Sequence, residues 1–440
     1  MNTTQNLKQF AKYVSLNVLG MIGLSCYILA DTYFISKGLG ANGLTALNLA
    51  IPVYSIIHGS GLMLGMGGAT KYSIFKSQQD GKNTNILFTN TIYLTALLAL
   101  LFVLTGVFLS KPLTAVLGAN AETFTMTNTY LKVILLFAPA FMMNDVLVCF
   151  VRNDGNPQLS MLAMLGGSVS NILLDYLFIF PLQMGIFGAV LATGLAPVIS
   201  MLILLPHRLK KNNHFHLVTT KPHVKIAQTI FSLGFPSLVT EVSSGIVILV
   251  FNTIILKLQG NIGVAAYGVI ANLSLVVSAI YTGIAQGIQP LISRAYGCGD
   301  IKNSKLILHY AMTTMLVLSC AVYLLVFFFA DPITSIFNSE HNLQLQEIAP
   351  FGLKLYFTAV GFVGFNIIIS VFFTSTEKPV PAHFISLLRG LLLIIPMAFL
   401  LSALWGIIGV WLAFPVTELV VALFGAGMYG AVQKKQKQLK

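Results

Sequence analysis

Twelve apolar stretches follow one another along the chain with little between them, each near the roughly 20 residues that cross a bilayer as a helix. They lie near 13–36, 44–70, 86–110, 129–151, 159–181, 186–206, 228–256, 265–293, 305–330, 348–374, 383–404 and 407–432. The runs are long and continuous, unlike the short alternating segments of a transmembrane barrel. The pattern therefore predicts an all-α membrane protein of twelve transmembrane helices. Most connections are short and marked by Gly, Pro, Asn or Asp. The longest, 207–227, contains RLKKNNHFH and falls at mid-chain. It divides the sequence into a lobe at 1–206, a linker at 207–227 and a lobe at 228–440, with no appended soluble domain. The polar start MNTTQNLKQFAKY leads into a run that reaches Asp31 without a small-residue cleavage site. It reads as a retained first helix rather than a signal peptide.

Composition narrows the class. Of 440 residues, 56% are hydrophobic and 9% charged, against about 25% charged in a soluble domain. This excludes a soluble enzyme, a disordered chain and, despite a net charge of +12, a nucleic-acid binder. The cations are instead distributed by side. If the N-terminus is cytoplasmic, the inner segments carry Lys8, Lys12, Lys71, Lys76, Lys82, Arg152, Arg208, Lys210, Lys211, Lys221, Lys225, Arg294, Lys302, Lys305, Lys378 and the four lysines after 433. The outer segments carry only Lys37, Lys111, Lys132, Lys257 and Lys354, while Arg389 lies within the eleventh span. This bias predicts cytoplasmic termini in a plasma-membrane protein, with the excess cations facing anionic lipid. His207, His214, His216 and His223 cluster around the linker. Of a metal site and a solvated, lipid-facing loop, the second is the expectation. Cys26, Cys149, Cys298 and Cys320 have no paired spacing and read as buried thiols.

The chain is internally doubled. At an offset of 220, Gly43 meets Gly263, Gly67 meets Gly287, and Asp80, Lys82 and Asn83 meet Asp300, Lys302 and Asn303. At 222, Lys132, Asn144 and Pro157 meet Lys354, Asn366 and Pro379; at 221, Gly185 and Gly188 meet Gly406 and Gly409. Six spans per half make the repeats parallel, related by an axis along the membrane normal. Such halves suit alternating access around a midplane cavity.

Five acids interrupt the spans: Asp31, Asp145, Asp175, Glu241 and Glu418. An acid at mid-membrane costs roughly 2.5–3.5 kcal/mol on insertion scales, which marks it as a candidate for function. Asp31 and Asp175 lie about five and six residues from the outer ends of their helices, hence roughly 8–10 Å below the outer surface. Asn171 shares a helix face with Asp175, four residues on, and Thr193 in the sixth span falls at the same depth. Two carboxylates, an amide and a hydroxyl form an oxygen set suited to a hard cation, and two acids that close could also share a proton. Na⁺ or H⁺ is the expected coupling ion, with no other cofactor. The repeat partners of Asp31, Asn171, Asp175 and Thr193 are Asn252, Leu393, Met397 and Phe414, so the set exists in one half only. Glu241, Asn144 and Asn366 are the expected polar anchors for a substrate, among Met and Phe side chains that can repack around varied ligands. For Met63, Met66, Met142, Met143, Met161 and Met164, ordinary helix packing or lipid contact is the expectation. His58 and His309, the histidines clearly within spans, have no obvious partner, and neither HExxH nor GxSxG occurs. No enzyme is expected.

These features together resemble the multidrug and toxic compound extrusion (MATE) transporters. The carrying stretches are ADTYFISKGLGANGLTALNLAIP (30–52), GMGGAT (65–70), RNDGNP (152–157), NILLD (171–175) and FPSLVTE (235–241). The similarity covers nearly the whole chain and looks closest to the MepA-like bacterial branch. The resemblance implies cation- or proton-coupled export of bulky, often cationic, drug-like compounds; separately, a monomer is expected. It also implies an N-lobe cation site at Asp31, Asn171, Asp175 and Thr193, and a functional acid at Glu241. Some members carry an acid in the tenth helix for a second sodium site; this chain has Asn366 there. A flippase for a lipid-linked oligosaccharide, or a dedicated exporter of one metabolite, would share the architecture. The flippase should line its cavity with more cations than these spans offer.

Overall fold

The computed structural model describes residues 3–209, 213–338 and 342–438, and among these the chain is helical without strands. Three helical stretches, Thr3–Ser77, Val224–Gly297 and Ile394–Gln438, run far beyond a bilayer's thickness, and each breaks at one glycine. Gly40 (φ 65°, ψ −159°) and Gly260 (φ 62°, ψ −156°) occupy a region of backbone space open essentially to glycine alone. Gly406 (φ 58°, ψ −133°) breaks the third stretch in the same way. Each glycine turns the chain back without a loop.

Split there, the described residues form twelve spans. They are α1 (3–39), α2 (41–77), α3 (Gly81–Phe108), α4 (Phe124–Leu136 with Ala138–Asn153), α5 (Pro157–Ile179) and α6 (Gly185–Leu209). The second half contains α7 (224–259), α8 (261–297), α9 (Ile301–Phe337), α10 (Leu343–Ser375), α11 (379–405) and α12 (407–438).

The helices depart from the sequence expectation mainly at their ends. The first begins at Thr3 because its polar residues continue the same helix beyond the apolar run. α4 is bent by 47° where its two segments meet at Phe137. Pro139, near the start of the second segment, cannot donate an N–H back across that junction.

The repeat is written into the backbone. Gly40 and Gly260 share their unusual dihedrals at the 220 offset. Asp80 and Asp300 cap α3 and α9 identically, each accepting from the N–H three residues on. At 222, Gly155 and Glu377 both take positive φ in the turns before α5 and α11. The buried side chains fall into two main clusters, one drawn from 35–230 and the other from 251–421 together with Phe10 and Val14.

The halves meet through glycine. A Cβ on Gly67 of α2 would lie 2.0 Å from Ile230 O, and one on Gly234 of α7 would lie 1.8 Å from Met63 O, so the two backbones touch. Gly283 and Gly287 of α8 press in the same way on Val18 and Val14 of α1. Polar bridges reinforce the same end of the bundle. Arg152, fully buried, donates to Gln286 Oε1 (2.7 Å) and Asn17 Oδ1 (2.9 Å). Asn153 donates to Gln289 (2.9 Å), which donates to Thr70 (2.9 Å), and Lys71 pairs with Glu377. The halves are therefore sealed together at the lysine-rich end.

Over its described residues the linker departs from the expected solvated, lipid-facing loop; 210–212 lie outside them. His207 belongs to α6 and is buried, and Phe215 sits in an aromatic nest with Tyr72, Phe88 and Phe150. Backbone N–H groups of His216, Val218 and His223 donate to Asn85, Thr89 and Asn90 along α3. Asp154 anchors the start of this strap, accepting from Tyr72 Oη (2.7 Å), His207 Nε2 (2.8 Å), the His214 N–H (3.1 Å) and Lys76. Burial works against ionisation here, but the bonds from His207, Lys76 and Tyr72 outweigh it and hold the Asp154 carboxyl well below the usual carboxylate range. A depressed folded value means that the stabilisation is complete above the unfolded carboxylate range and is lost only as pH falls below it. The strap should stay closed across pH 5–8. Asp154→Asn, which turns an acceptor into a donor facing Lys76, should cost roughly 1–3 kcal/mol locally. Hydrogen exchange of 213–223 reads this; unchanged protection would rule out the anchor.

The cysteines also depart from expectation. Cys149 alone is buried; Cys26, Cys298 and Cys320 are exposed, and all four are free thiols. Cys26 and Cys320 lie within apolar spans, where surrounding lipid shields an exposed thiol, whereas Cys298 lies in the turn after α8.

Candidate functional site

Asp31 on α1 and Asp175 on α5 are brought side by side, with carboxyl groups within hydrogen-bonding reach of each other. Asp175 and Asn171 are fully buried, and Asp31 is 7% exposed. Five of their polar atoms have no hydrogen-bond partner: Asp31 Oδ1, both oxygens of Asp175, and Oδ1 and Nδ2 of Asn171. Buried polar groups are nearly always satisfied, so five unpaired atoms on three neighbouring side chains form a place that a cation, a proton or water would complete. The unpaired atoms are chiefly oxygen, which fits Na⁺, and two adjacent carboxyls fit a shared proton as well. Thr193 returns its hydroxyl to Ala189 O (3.1 Å), and the Tyr130 phenol lies within its reach. The fourth member thus stands at the margin of the set. Among the described residues, no three His, Cys, Asp or Glu side chains converge as a metal site.

Beside this set lies a partly open cleft, bordered by α1, α2, α4, α5, α6 and α7 and touched by Gln286 of α8. Thr193 borders it, as do Asn144, Asp145, His58 and Glu241. Tyr27, Tyr54, Phe141, Met21 and Met164 supply soft apolar wall. Beyond the bend in α4, Phe141, Asn144 and Asp145 border the cleft, and Gly194 of α6 makes room for the Phe137 ring at the bend, where a Cβ would be 2.6 Å away. Tyr27 and Tyr54 share a 3.0 Å hydroxyl–hydroxyl bond.

His58, expected to be without a partner, has one: its Nδ1 lies 3.0 Å from Asp145 Oδ2. Tyr54 stacks on its ring at 5.8 Å, nearly parallel at 4°. The pairing crosses from α2 to α4, a proximity that no sequence spacing reveals. Tyr27, Tyr54 and Tyr130 were equally invisible, since a tyrosine in an apolar run carries no signal of which face it occupies.

Asn366 does not join Glu241 and Asn144 at the cleft. It is fully buried in the second half and donates to Glu418 Oε2 (2.7 Å) and Glu418 O (2.9 Å). Arg389 completes this knot, with Nε 3.1 Å and Nη2 2.9 Å from Glu418 Oε1. A π-helical turn at Leu388–Leu392 presents the guanidinium. Pro396 lacks the N–H that would bond the Leu392 carbonyl, and its ring crowds that carbonyl, which favours the widened turn. At the repeat offsets, Asn366, Arg389 and Glu418 correspond to Asn144, Gly167 and Pro197. Those three border the cleft. The second half therefore fills with an ion pair the position that the first half leaves open.

This arrangement of twelve spans, doubled halves, a one-sided acid set and an adjoining cleft is that of a membrane transporter fold, and comparison with known proteins identifies the family. The MatE family model matches residues 18–177 and 236–400. The chain belongs to the MatE family. It is 28% identical to the multidrug export protein MepA of Staphylococcus saprophyticus over 408 residues, covering 92% of this chain and 89% of that one. A solved outward-facing structure of a multidrug resistance MATE transporter of the MOP superfamily superposes with a TM-score of 0.90 at 23% identity, covering 98% and 97% of the two chains. A MOP superfamily transporter from Pyrococcus furiosus, whose description notes a binding pocket of reversed polarity, superposes at 0.88 with 23% identity, covering 97% and 96%. The twelve-helix, two-repeat fold read from the sequence is thus that of its structural relatives, and the chain is a multi-pass membrane protein.

Proposed function

We propose that this protein is a secondary active efflux antiporter of the plasma membrane that exports bulky, often cationic organic compounds in exchange for Na⁺ or H⁺. The observation that carries the reading is the set of orphaned polar atoms on Asp31, Asn171 and Asp175 beside the cleft. Its oxygens suit a small cation or a proton, while the aromatic, methionine-lined cleft with Asp145 and Glu241 suits an organic cation. The relationship to the MepA multidrug export proteins supports the substrate class. Asn144 and Glu241 are its polar anchors.

The lysine-rich end is cytoplasmic in this reading, as are both termini, so the seal between the halves closes the inward side. The lobes at 1–206 and 228–440, joined by the linker, rock against each other, and the seal parts in the inward-facing state. An ion drives export only through unequal affinity for the two states. Occupation of the acid set from outside favours the state that has released substrate. The chain works as a monomer in lipid and performs no enzymatic chemistry. A flippase for lipid-linked oligosaccharide phosphates would need a cationic cavity, and the residues bordering this cleft include neither Lys nor Arg.

Ethidium efflux from proteoliposomes tests the proposal. An inward Na⁺ gradient or an inward proton gradient, imposed separately, should drive efflux, and the effective one identifies the coupling ion. Efflux insensitive to both would defeat the antiporter reading.

A further inference from the structure

His58 and Asp145 form a close pair that the ion-coupling set does not use. The contact is close, at 3.0 Å, yet Asp145 Oδ2 is buried and has no aligned hydrogen-bond donor. Asp145 is 8% exposed, and a Cβ on Gly61 would lie 2.5 Å from the same oxygen, so the carboxylate is walled in on the α2 side. The remaining groups facing His58 are few. Glu241 approaches from α7, its Cβ 3.1 Å from where a Gly59 side chain would begin. Tyr54 stacks from its own helix, and Tyr27 faces it from α1 through the Tyr54 hydroxyl. Cys149 and Arg152 stand one and two turns beyond Asp145 on α4, the guanidinium turned away into the seal between the halves. Asp31 and Asp175 lie near Tyr27, as Asp145 does. Asp145 and Glu241 thus both border the cleft with His58.

We propose that His58 and Asp145 are an organic-cation subsite at which the cation is taken up in exchange for a proton. The proposal rests on the organic-cation reading above and adds a second protonatable site to it, inside the substrate cleft. With the cleft empty, the imidazolium neutralises Asp145 and shares the field of Glu241. An incoming cation needs the same two carboxylates, and two cations cannot be buried together there at low cost. The exchange is balanced. The proton on His58 Nε2 passes to water, the N–H electron pair stays on the ring, and Nδ1–H remains toward Asp145. The site loses one positive charge as proton and gains one as ligand, so its net charge is unchanged. The stacked Tyr54 and the neighbouring Phe141 offer π faces to a delocalised cation. His58 is suited to the role because its ordinary titration lies in the physiological range.

The test is binding of tetraphenylphosphonium to the full-length protein in lipid nanodiscs, with proton release followed by a pH-indicator dye at low buffer. Asp31→Asn with Asp175→Asn removes the coupling set as a proton source. In that background the apparent Kd should still rise on acidification between pH 8 and 5.5, by up to about tenfold per pH unit where one proton is exchanged. About one proton should appear per cation bound. Adding His58→Gln should flatten the pH dependence and abolish the release. If that variant is not recovered folded, Asp145→Asn serves, and it should weaken binding and flatten the profile together. Proton release that persists unchanged in His58→Gln, or a flat profile in the Asp31→Asn, Asp175→Asn background, overturns this inference and leaves the exporter reading standing. No binding by the wild-type protein at any pH overturns both.

Discussion

Asp31→Asn and Asp175→Asn should each reduce ion-driven efflux in proteoliposomes to the level of empty vesicles, while insertion and the melting temperature stay close to wild type. Each substitution removes one of the two carboxylates that face each other in a pocket of orphaned polar atoms. An amide keeps the volume and one oxygen but cannot bind a proton near neutral pH or carry the charge that compensates Na⁺. Stability should not suffer, because the wild-type side chains have few protein hydrogen bonds to lose there. This separates coupling from structure: an ordinary buried network would show the opposite pattern, with melting affected first. Asn171→Ala should give a milder loss, since it removes an oxygen ligand but no charge. Efflux at wild-type rates in both Asp variants would place the coupling site elsewhere.

The second large effect is expected in the other half and is one of stability. Arg389→Ala strands Glu418, which is 1% exposed, without its guanidinium partner. Breaking one side of a buried pair typically costs about 3–5 kcal/mol, because the remaining charge is left uncompensated. Thermal unfolding in detergent should therefore fall markedly. Replacing both members, as Arg389→Met with Glu418→Leu, should recover most of the loss, since an apolar pair of similar volume is often as stable as the ion pair. Asn366 would still need a partner for its amide, which the Glu418 main-chain carbonyl continues to supply. Arg389→Ala melting at the wild-type temperature would show that Glu418 is solvated or already neutral. These two predictions describe the same asymmetry from its two sides. The first half keeps acids whose partners must come from outside, and the second half carries a tethered cation of its own.

Much of the fold was legible in the chain because bilayer thickness imposes a length on each apolar run, and because duplication left glycines and helix caps in register. The pair Asp31 and Asp175 was legible for a related reason: depth in a membrane can be counted in residues from the helix end. Asn366 shows the limit of that reasoning. Its repeat relation to Asn144 suggested a shared role, but burial against Glu418 and Arg389 gave it a structural one. The linker shows another limit. Its polar, basic composition suggested solvent, yet Phe215 and the backbone bonds to Asn85, Thr89 and Asn90 tie it down.

By itself the sequence determined a twelve-span, doubled helical membrane protein, and one half with an acid set the other lacks, since span length, charge bias and repeat register are all read along one dimension. Only the tertiary structure decided which polar groups meet across helices: His58 with Asp145, Tyr27 with Tyr54, Arg389 with Glu418. Helix rotation and the bend at Phe137 choose those partners. Both are set by packing between spans distant in the chain, where an α-helical period tells which residues share a face but never what that face touches.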